Sequence, residues 1–307
     1  MQQVLDVLPK SISSIINAYS PFLKEKIEEI RIRISRPLEV IIAGIPHFSS
    51  YCVSAEDGVQ LLNKLSQYSI YTLEEELKRG YVTIQGGHRV GLAGKVITES
   101  GNVKAIREVT SFNIRIAKQK IGIANPLISS LYQNRWLNTM IIGPPQTGKT
   151  TLLRDIARII SSGVSEKNIP SFKVGIVDER SEIAGCAKGI PQHSLGPRVD
   201  VLDACPKAEG MMMLIRSMSP DVLVVDEIGR IEDSEAIVEA VNAGVGLFMT
   251  VHGFELKDLY KRPTVRTILE LGVFERFILL TRNQGPGTVS KILTREGQDI
   301  LKKVRVT

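Results

Sequence analysis

Residues 141–160 read IIGPPQTGKTTLLRDIARII. This stretch decides the fold because three things follow in order. Apolar residues end at Ile142, a turn runs from Gly143 to Gly148, and an amphipathic run begins at Thr150. Gly143-Pro144-Pro145-Gln146-Thr147-Gly148-Lys149-Thr150 satisfies G-x-x-x-x-G-K-[ST] at every position. The chemistry behind that pattern is anion binding. Glycines let backbone N–H groups turn inward around phosphate oxygens, and the positive end of the helix dipole points at the same place. Lys149 supplies mobile positive charge for the outer phosphates, and the Thr150 hydroxyl can ligate Mg²⁺. Thr151 can hydrogen-bond the α-phosphate. The expected nucleotide-binding residues are therefore Gly143, Pro144, Pro145, Gln146, Thr147, Gly148, Lys149, Thr150 and Thr151, with ATP and Mg²⁺ as ligands. A glycine-rich turn of no function would not need a strand before it and a helix after it.

Downstream the same alternation continues. Apolar strands are expected at 140–142, 174–177, 222–225 and 247–251, with helices at 150–160, 208–218 and 234–243. Short apolar strands between amphipathic helices predict a parallel sheet covered on both faces. Ligands of such sheets bind beyond the carboxyl ends of the strands. PDVLVVDEIGR (220–230) delivers Asp226 and Glu227 there. Asp226 is expected to hold Mg²⁺ and Glu227 to polarise an attacking water, which favours hydrolysis over mere binding. VGIVDERSEI (174–183) repeats the layout with Asp178, Glu179 and Glu182, on a strand expected beside the 140–142 strand or one removed. LFMTVHGFE (247–255) delivers Thr250 and His252. Alone, His252 reads as a structural hydrogen-bonding group. Beside three other polar strand ends it reads as part of a site, either sensing the terminal phosphate or coupling it to a neighbouring subunit.

The first third has a different character. Residues 21–30 show helical spacing of Phe22, Leu23, Ile27 and Ile30, opened by Pro21. The alternation of Ile30, Ile32 and Ile34 with Arg31 and Arg33 predicts a strand, and 38–42 a second. Helices are expected at 55–65 and at 72–78, the latter capped by Thr72 with Glu75. A glycine-punctuated hairpin follows at 80–97, and SFNIRIA (111–117) is another strand. This gives a smaller α+β domain over residues 1–122, joined near Lys118–Pro126 to an α/β domain over 123–307.

Composition sets outer limits. The 307 residues are 43% hydrophobic and 23% charged, ordinary for about two globular domains. The net charge of +6 is too small to signal a nucleic-acid partner by itself. Aromatics are only 5% and none interleave with a basic run, so no nucleic acid is expected as partner. Cys52, Cys186 and Cys205 form no C-x-x-C and read as free thiols in a reducing compartment. No leader is read at the N-terminus, and no apolar run approaches the ~18 residues of a spanning helix. A cytoplasmic protein is expected, meeting membranes only through partners.

The order of phosphate loop, acidic box, Asp-Glu strand end and T-x-H box resembles the secretion ATPases of type II and type IV secretion and type IV pili. The stretch GPRVDVLDACPKAEGMMMLIRSMSPDVLVVDEIGR (196–230), with EIRIRISRPLEV and GGHRVGLAGKVI, is similar to a sporulation branch of that superfamily, found in endospore-forming bacteria. The resemblance implies a RecA-like P-loop ATPase core, a smaller N-terminal domain and a homo-hexamer. It implies a motor in the mother cell, docked on membrane-embedded sporulation channel proteins that lead to the forespore. Glu227 matches the glutamate of the family's second carboxylate motif and His252 its His box. Two positions depart from the family's pattern. Asp226 stands where secretion ATPases have Gly, and D-E-R-S-E replaces E-D-P-x-E, which leaves open whether Asp178, Glu179 or Glu182 acts. The resemblance also implies a catalytic arginine from the N-terminal domain, with Arg115 first, then Arg31 and Arg33, and Arg89 and Arg107 as further candidates. Each can equally be the wet face of a half-exposed strand. Met211 to Met213 read as core or packing surface. The alternative for the whole chain is a RecA-type ATPase acting on nucleic acid.

Overall fold

A computed structural model describes residues 1–66, 74–99, 101–283 and 285–301. The chain divides into two compact units, residues 1–118 and 119–307.

In the first unit, helices α1 (Gln2–Val7), α2 (Lys10–Asn17) and α3 (Pro21–Lys26) lead into strands β1 (Ile27–Arg33), β2 (Pro37–Ile42) and β3 (Ile45–Cys52). Helices α4 (Ala55–Leu65) and α5 (Glu74–Arg79) and strands β4 (Tyr81–Ile84), β5 (His88–Glu99) and β6 (Asn102–Arg115) complete it. The strands form one antiparallel sheet in the order β3-β2-β1-β6-β5-β4. Its buried face, with Ile30, Ile32, Phe112 and Ile114, packs with Val4, Ile12, Ile16 and Leu61 of the helices.

Helix α3 starts as expected, with Pro21 in its first turn and the Ser20 hydroxyl accepting from the Leu23 N–H. It stops at Lys26, four residues short of the helical spacing. Phe22 is 64% exposed, whereas Ile27 is fully buried in the sheet. A bulge between Ile27 and Glu29 turns both Ile27 and Ile30 into the core, which mimics a helical period in a strand. Strand β3 escaped sequence reading because it is an edge strand exposed along most of its length, without the alternation that marks a half-buried one. Helix α4 runs over the expected residues, capped by a reciprocal Ser54–Asp57 pair. The expected Thr72 cap lies outside the described residues.

The second unit contains α6 (Ile128–Leu131), β7 (Thr139–Gly143), α7 (Lys149–Ser162), β8 (Val174–Asp178), β9 (Val199–Asp203) and α8 (Lys207–Ser217). It continues with β10 (Val222–Val225), α9 (Ile231–Asn242), β11 (Gly246–His252), α10 (Leu256–Leu259), α11 (Pro263–Glu270), β12 (Arg276–Thr281) and β13 (Thr288–Thr294). The seven strands order as β13-β12-β7-β11-β10-β8-β9, parallel except for the β12–β13 hairpin. Strands β7, β8 and β10 are buried throughout, the signature of a sheet covered on both faces. One core layer joins α7 to the sheet through Leu152, Leu153, Ile156 and Ile160. The opposite layer joins α8, α9 and α11 through Met211, Leu214, Ile237, Val265 and Ile268.

The expected strand order is corrected. Strand β8 does not lie beside β7 or one removed, because β11 and β10 stand between them. A parallel crossover can skip places that later strands fill, so order along the chain does not fix adjacency. A strand that the sequence reading did not include, β9, pairs with β8 from Val199. Its residues Val-Asp-Val-Leu-Asp are half-buried and present no apolar run. Helix α9 begins three residues early because the Asp233 carboxylate accepts from the N–H groups of Gly229 and Arg230. No helix among the described residues is long and apolar enough to cross a membrane.

Candidate functional site

The parallel register brings four strand ends together. His252 lies opposite Gly143, Met249 opposite Val225, and Val225 opposite Val177. The residues that follow these positions share one carboxyl edge of the sheet.

The Gly143–Thr151 loop is shaped by close approaches. Gly148 has φ +86°, and a Cβ there would lie 2.9 Å from the Gly287 nitrogen. Gly287 itself donates its N–H to the Thr147 carbonyl at 2.8 Å, so the turn between β12 and β13 rests on the loop. Thr147 is buried and its hydroxyl donates to the Pro144 carbonyl. Arg282 Nη2 donates to the Pro145 carbonyl and to Gln146 Oε1. Lys149, only 5% exposed, donates to the carbonyls of Gly143 at 2.9 Å and Pro144 at 3.0 Å. Burial pushes its pKa down, and the charges of Asp226 and Glu227 pull it back up.

From Lys149 a chain of contacts runs through the site. Its ammonium lies 3.1 Å from His252 Nδ1. An ammonium only donates, so Nδ1 accepts and the ring proton sits on Nε2. That nitrogen lies 2.8 Å from Glu227 Oε1, while Arg180 Nη1 is 2.7 Å from Glu227 Oε2. Glu227 has φ +54°, unusual for a non-glycine residue. The buried Thr250 holds it there, its hydroxyl accepting from the Glu227 N–H at 2.8 Å and donating to Asp226 Oδ1. The other Asp226 oxygen accepts from the Thr150 hydroxyl at 2.5 Å.

The acidic box separates into different jobs. Asp178 is 2% exposed and accepts from the N–H groups of Glu182, Ile183 and Ala184 at 2.8, 3.0 and 2.8 Å. Burial raises its pKa to about 6 against those hydrogen bonds. Its carboxylate shapes a turn. Glu179 pairs with the largely buried Lys207 at 2.5 Å and with Arg230 at 3.6 Å. Glu182 offers its carbonyl to Arg154 of α7, and Arg154 also donates to the Ile183 carbonyl. The box is thereby tied to the helix that follows the loop.

A hydroxyl and a carboxylate in contact, Thr150 and Asp226, are hard oxygen donors that fit Mg²⁺ arriving with a phosphate. Among the described residues no group of three His, Cys, Asp or Glu could hold a metal ion. The structure thus brings Lys149, Thr150, Asp226, Glu227 and His252 into one network, with Glu179 and Glu182 on the adjoining strand end. Arg115 belongs to the first unit, on β6, 3.8 Å from Glu29. There Arg31 also pairs with Glu29, Arg33 pairs with Glu39, and Arg89 stacks on Tyr81. Sequence reading missed Arg180, Lys207, Arg262 and Arg282. Arg180 was legible as a cation inside an acidic box. Arg262, which donates to the His252 carbonyl, gave no signal.

Comparison with known proteins adds four findings. A family model described as sporulation stage III, protein AA, matches residues 1–300. The stage III sporulation protein AA of Bacillus subtilis (strain 168) is 59% identical over 297 residues, covering 97% of this chain and 96% of that protein. Among solved structures, the ATPase DotB of Yersinia pseudotuberculosis matches with TM-score 0.62 at 14% identity, over 94% of this chain and 81% of that one. The pilus retraction motor PilT, solved with bound ADP, matches with TM-score 0.54 at 18% identity, over 84% and 76%. The fold is the one expected from sequence, a RecA-like α/β core preceded by an antiparallel-sheet domain.

Proposed function

The chain belongs to the sporulation stage III, protein AA family, and from that premise we propose that it is a Mg²⁺-dependent ATPase working as a motor of the secretion-ATPase type. The observation that carries the reading is the Thr150–Asp226 contact at 2.5 Å, with Glu227 next on the same strand end. Lys149 and the amides of Gly143–Thr151 bind the phosphates. Thr150 and Asp226 hold Mg²⁺, which when bound neutralises charge on the outer phosphates. Glu227 draws a proton from water as the water oxygen bonds to the terminal phosphorus and the bond to the ADP oxygen breaks. Glu179 and Glu182 are the alternative carboxylates. His252 reports the state of the terminal phosphate, and Arg115 acts on a neighbouring subunit of a homo-hexamer. The work is done in the mother-cell cytoplasm, at a membrane, on the channel proteins leading to the forespore. The likeness to structures called an ATPase and a pilus retraction motor supports this reading.

The test is phosphate release by the purified full-length chain with ATP and Mg²⁺, alongside Lys149→Ala. Magnesium-dependent release in the wild type, and loss of nucleotide binding in the variant, is expected. Equal nucleotide affinity of the two proteins overturns the reading. Stimulation by DNA or RNA that fades with salt would redirect it to a nucleic-acid motor.

A further inference from the structure

Glu227 carries a donor on each oxygen, the His252 ring on Oε1 and the Arg180 guanidinium on Oε2. A carboxylate so engaged is a poor acceptor for a water proton. Arg180 is the more movable of the two, since its side chain is 59% exposed. It shares one small cavity with Asp226, Glu227, Asp178 and Glu179. Asp226 is in turn bonded to Thr150 at the start of α7, which ties one wall of the cavity to the residue that follows Lys149. Other cations near the site also have partners. Lys207 is largely buried against Glu179, Arg262 donates to the His252 carbonyl, and Arg282 holds the carbonyl of Pro145.

We propose that Arg180 is a catalytic arginine supplied by the core itself, which leaves Glu227 for the terminal phosphate when ATP binds. The inference rests on the ATPase reading above. A phosphate offers a guanidinium more charge and a two-pronged fit, whereas a half-exposed ion pair is held weakly. One movement then does two things. It sets a guanidinium where negative charge develops in phosphoryl transfer, and it returns to Glu227 the oxygen that receives the water proton. ADP lacks the γ-phosphate that would draw Arg180 away, so Glu227 stays occupied in the product state.

The experiment compares the full-length wild type with Arg180→Gln and Arg180→Lys. It measures affinity for ADP and for a non-hydrolysable ATP analogue, together with kcat and KM for ATP. Arg180→Gln is expected to keep ADP affinity within about twofold and to bind the triphosphate analogue several-fold more weakly. Its kcat should fall by about 10³ or more, the range for lost catalytic arginines. Arg180→Lys should recover part of that loss. Wild-type kcat in Arg180→Gln, or equal loss of ADP and triphosphate affinity, overturns the proposal. Should Arg180→Gln fail to fold, Arg180→Lys carries the test, and triphosphate selectivity and kcat at wild-type values in that variant overturn a two-pronged role. A wild type that binds no nucleotide refutes the ATPase reading itself. A hydrolysing wild type beside an unimpaired Arg180→Gln refutes only this inference.

Discussion

The ammonium of Lys149 and Nδ1 of His252 lie 3.1 Å apart, between residues separated by 103 positions in sequence. A phosphate that takes up Lys149 draws it off the ring. Nitrogen-detected NMR of the nucleotide-free chain should show His252 protonated on Nε2 and accepting at Nδ1. ATP, and equally Lys149→Ala, should shift the Nδ1 resonance. A proton found on Nδ1 in the nucleotide-free chain would contradict the contact.

Glu227→Gln keeps the shape of the side chain and removes its basicity. Nucleotide should bind as in the wild type, while turnover drops by roughly 10² to 10⁴, the usual contribution of a general base. Glu179→Gln should behave differently, because it leaves the nearly buried Lys207 without its carboxylate. Its main effect should be a loss of about 3 kcal/mol of stability. Denaturation followed through Trp136, the single tryptophan, reads this directly, since that ring is buried in the second unit. Abolished turnover at unchanged stability in Glu179→Gln would move the catalytic carboxylate to the acidic box.

Gly148→Ala places a side chain at φ +86° and within 2.9 Å of the Gly287 nitrogen. The left-handed conformation alone costs an L-residue about 1–2 kcal/mol. The denaturation midpoint of the second unit should fall and nucleotide affinity should be lost. A variant that binds ADP like the wild type would show the turn on the loop to be dispensable.

Acid should act on the two units in opposite directions. His88 is 4% exposed, accepts from the Ala117 N–H, and burial lowers its pKa from 6.5 to about 4. Its contribution is complete above pH 6.5 and is lost as pH falls through about 4, about 3 kcal/mol in all. Asp178 has the reverse sign. Its raised value, about 6 against 3.8, means that its contribution grows by about 3 kcal/mol as pH falls from about 6 to about 4. Amide-exchange protection in β4 and β5, compared between wild type and His88→Gln at pH 7 and 4.5, should converge in acid. Trp136-monitored stability of wild type and Asp178→Asn should diverge there. Gaps that do not change with pH would refute both shifts.

The site was legible where one physical rule fixes several positions at once. Gly143, Gly148, Lys149 and Thr150 answer to one anion, and the apolar strand before Asp226 has to end at a ligand edge. Asp178, Glu179 and Glu182 look alike in sequence. Burial and backbone donors make the first a turn clamp, while Lys207 and Arg230, set on other elements, claim the second. No local pattern carries that difference. The same holds for β11 and β10 standing between β7 and β8, and for the bulge at Ile27, which hid a strand inside a helical period.

Strand β7 finds its neighbours in β11 and β12, residues 246–252 and 276–281. The loop that follows β7 therefore cannot take its shape by local folding. Long-range closure of this kind is slow, and it comes after local helices have formed. The Gly143–Thr151 loop should be among the last parts of the second unit to mature. A nucleotide that recognises only the finished loop would select fully folded chains, and by mass action it would hold them folded.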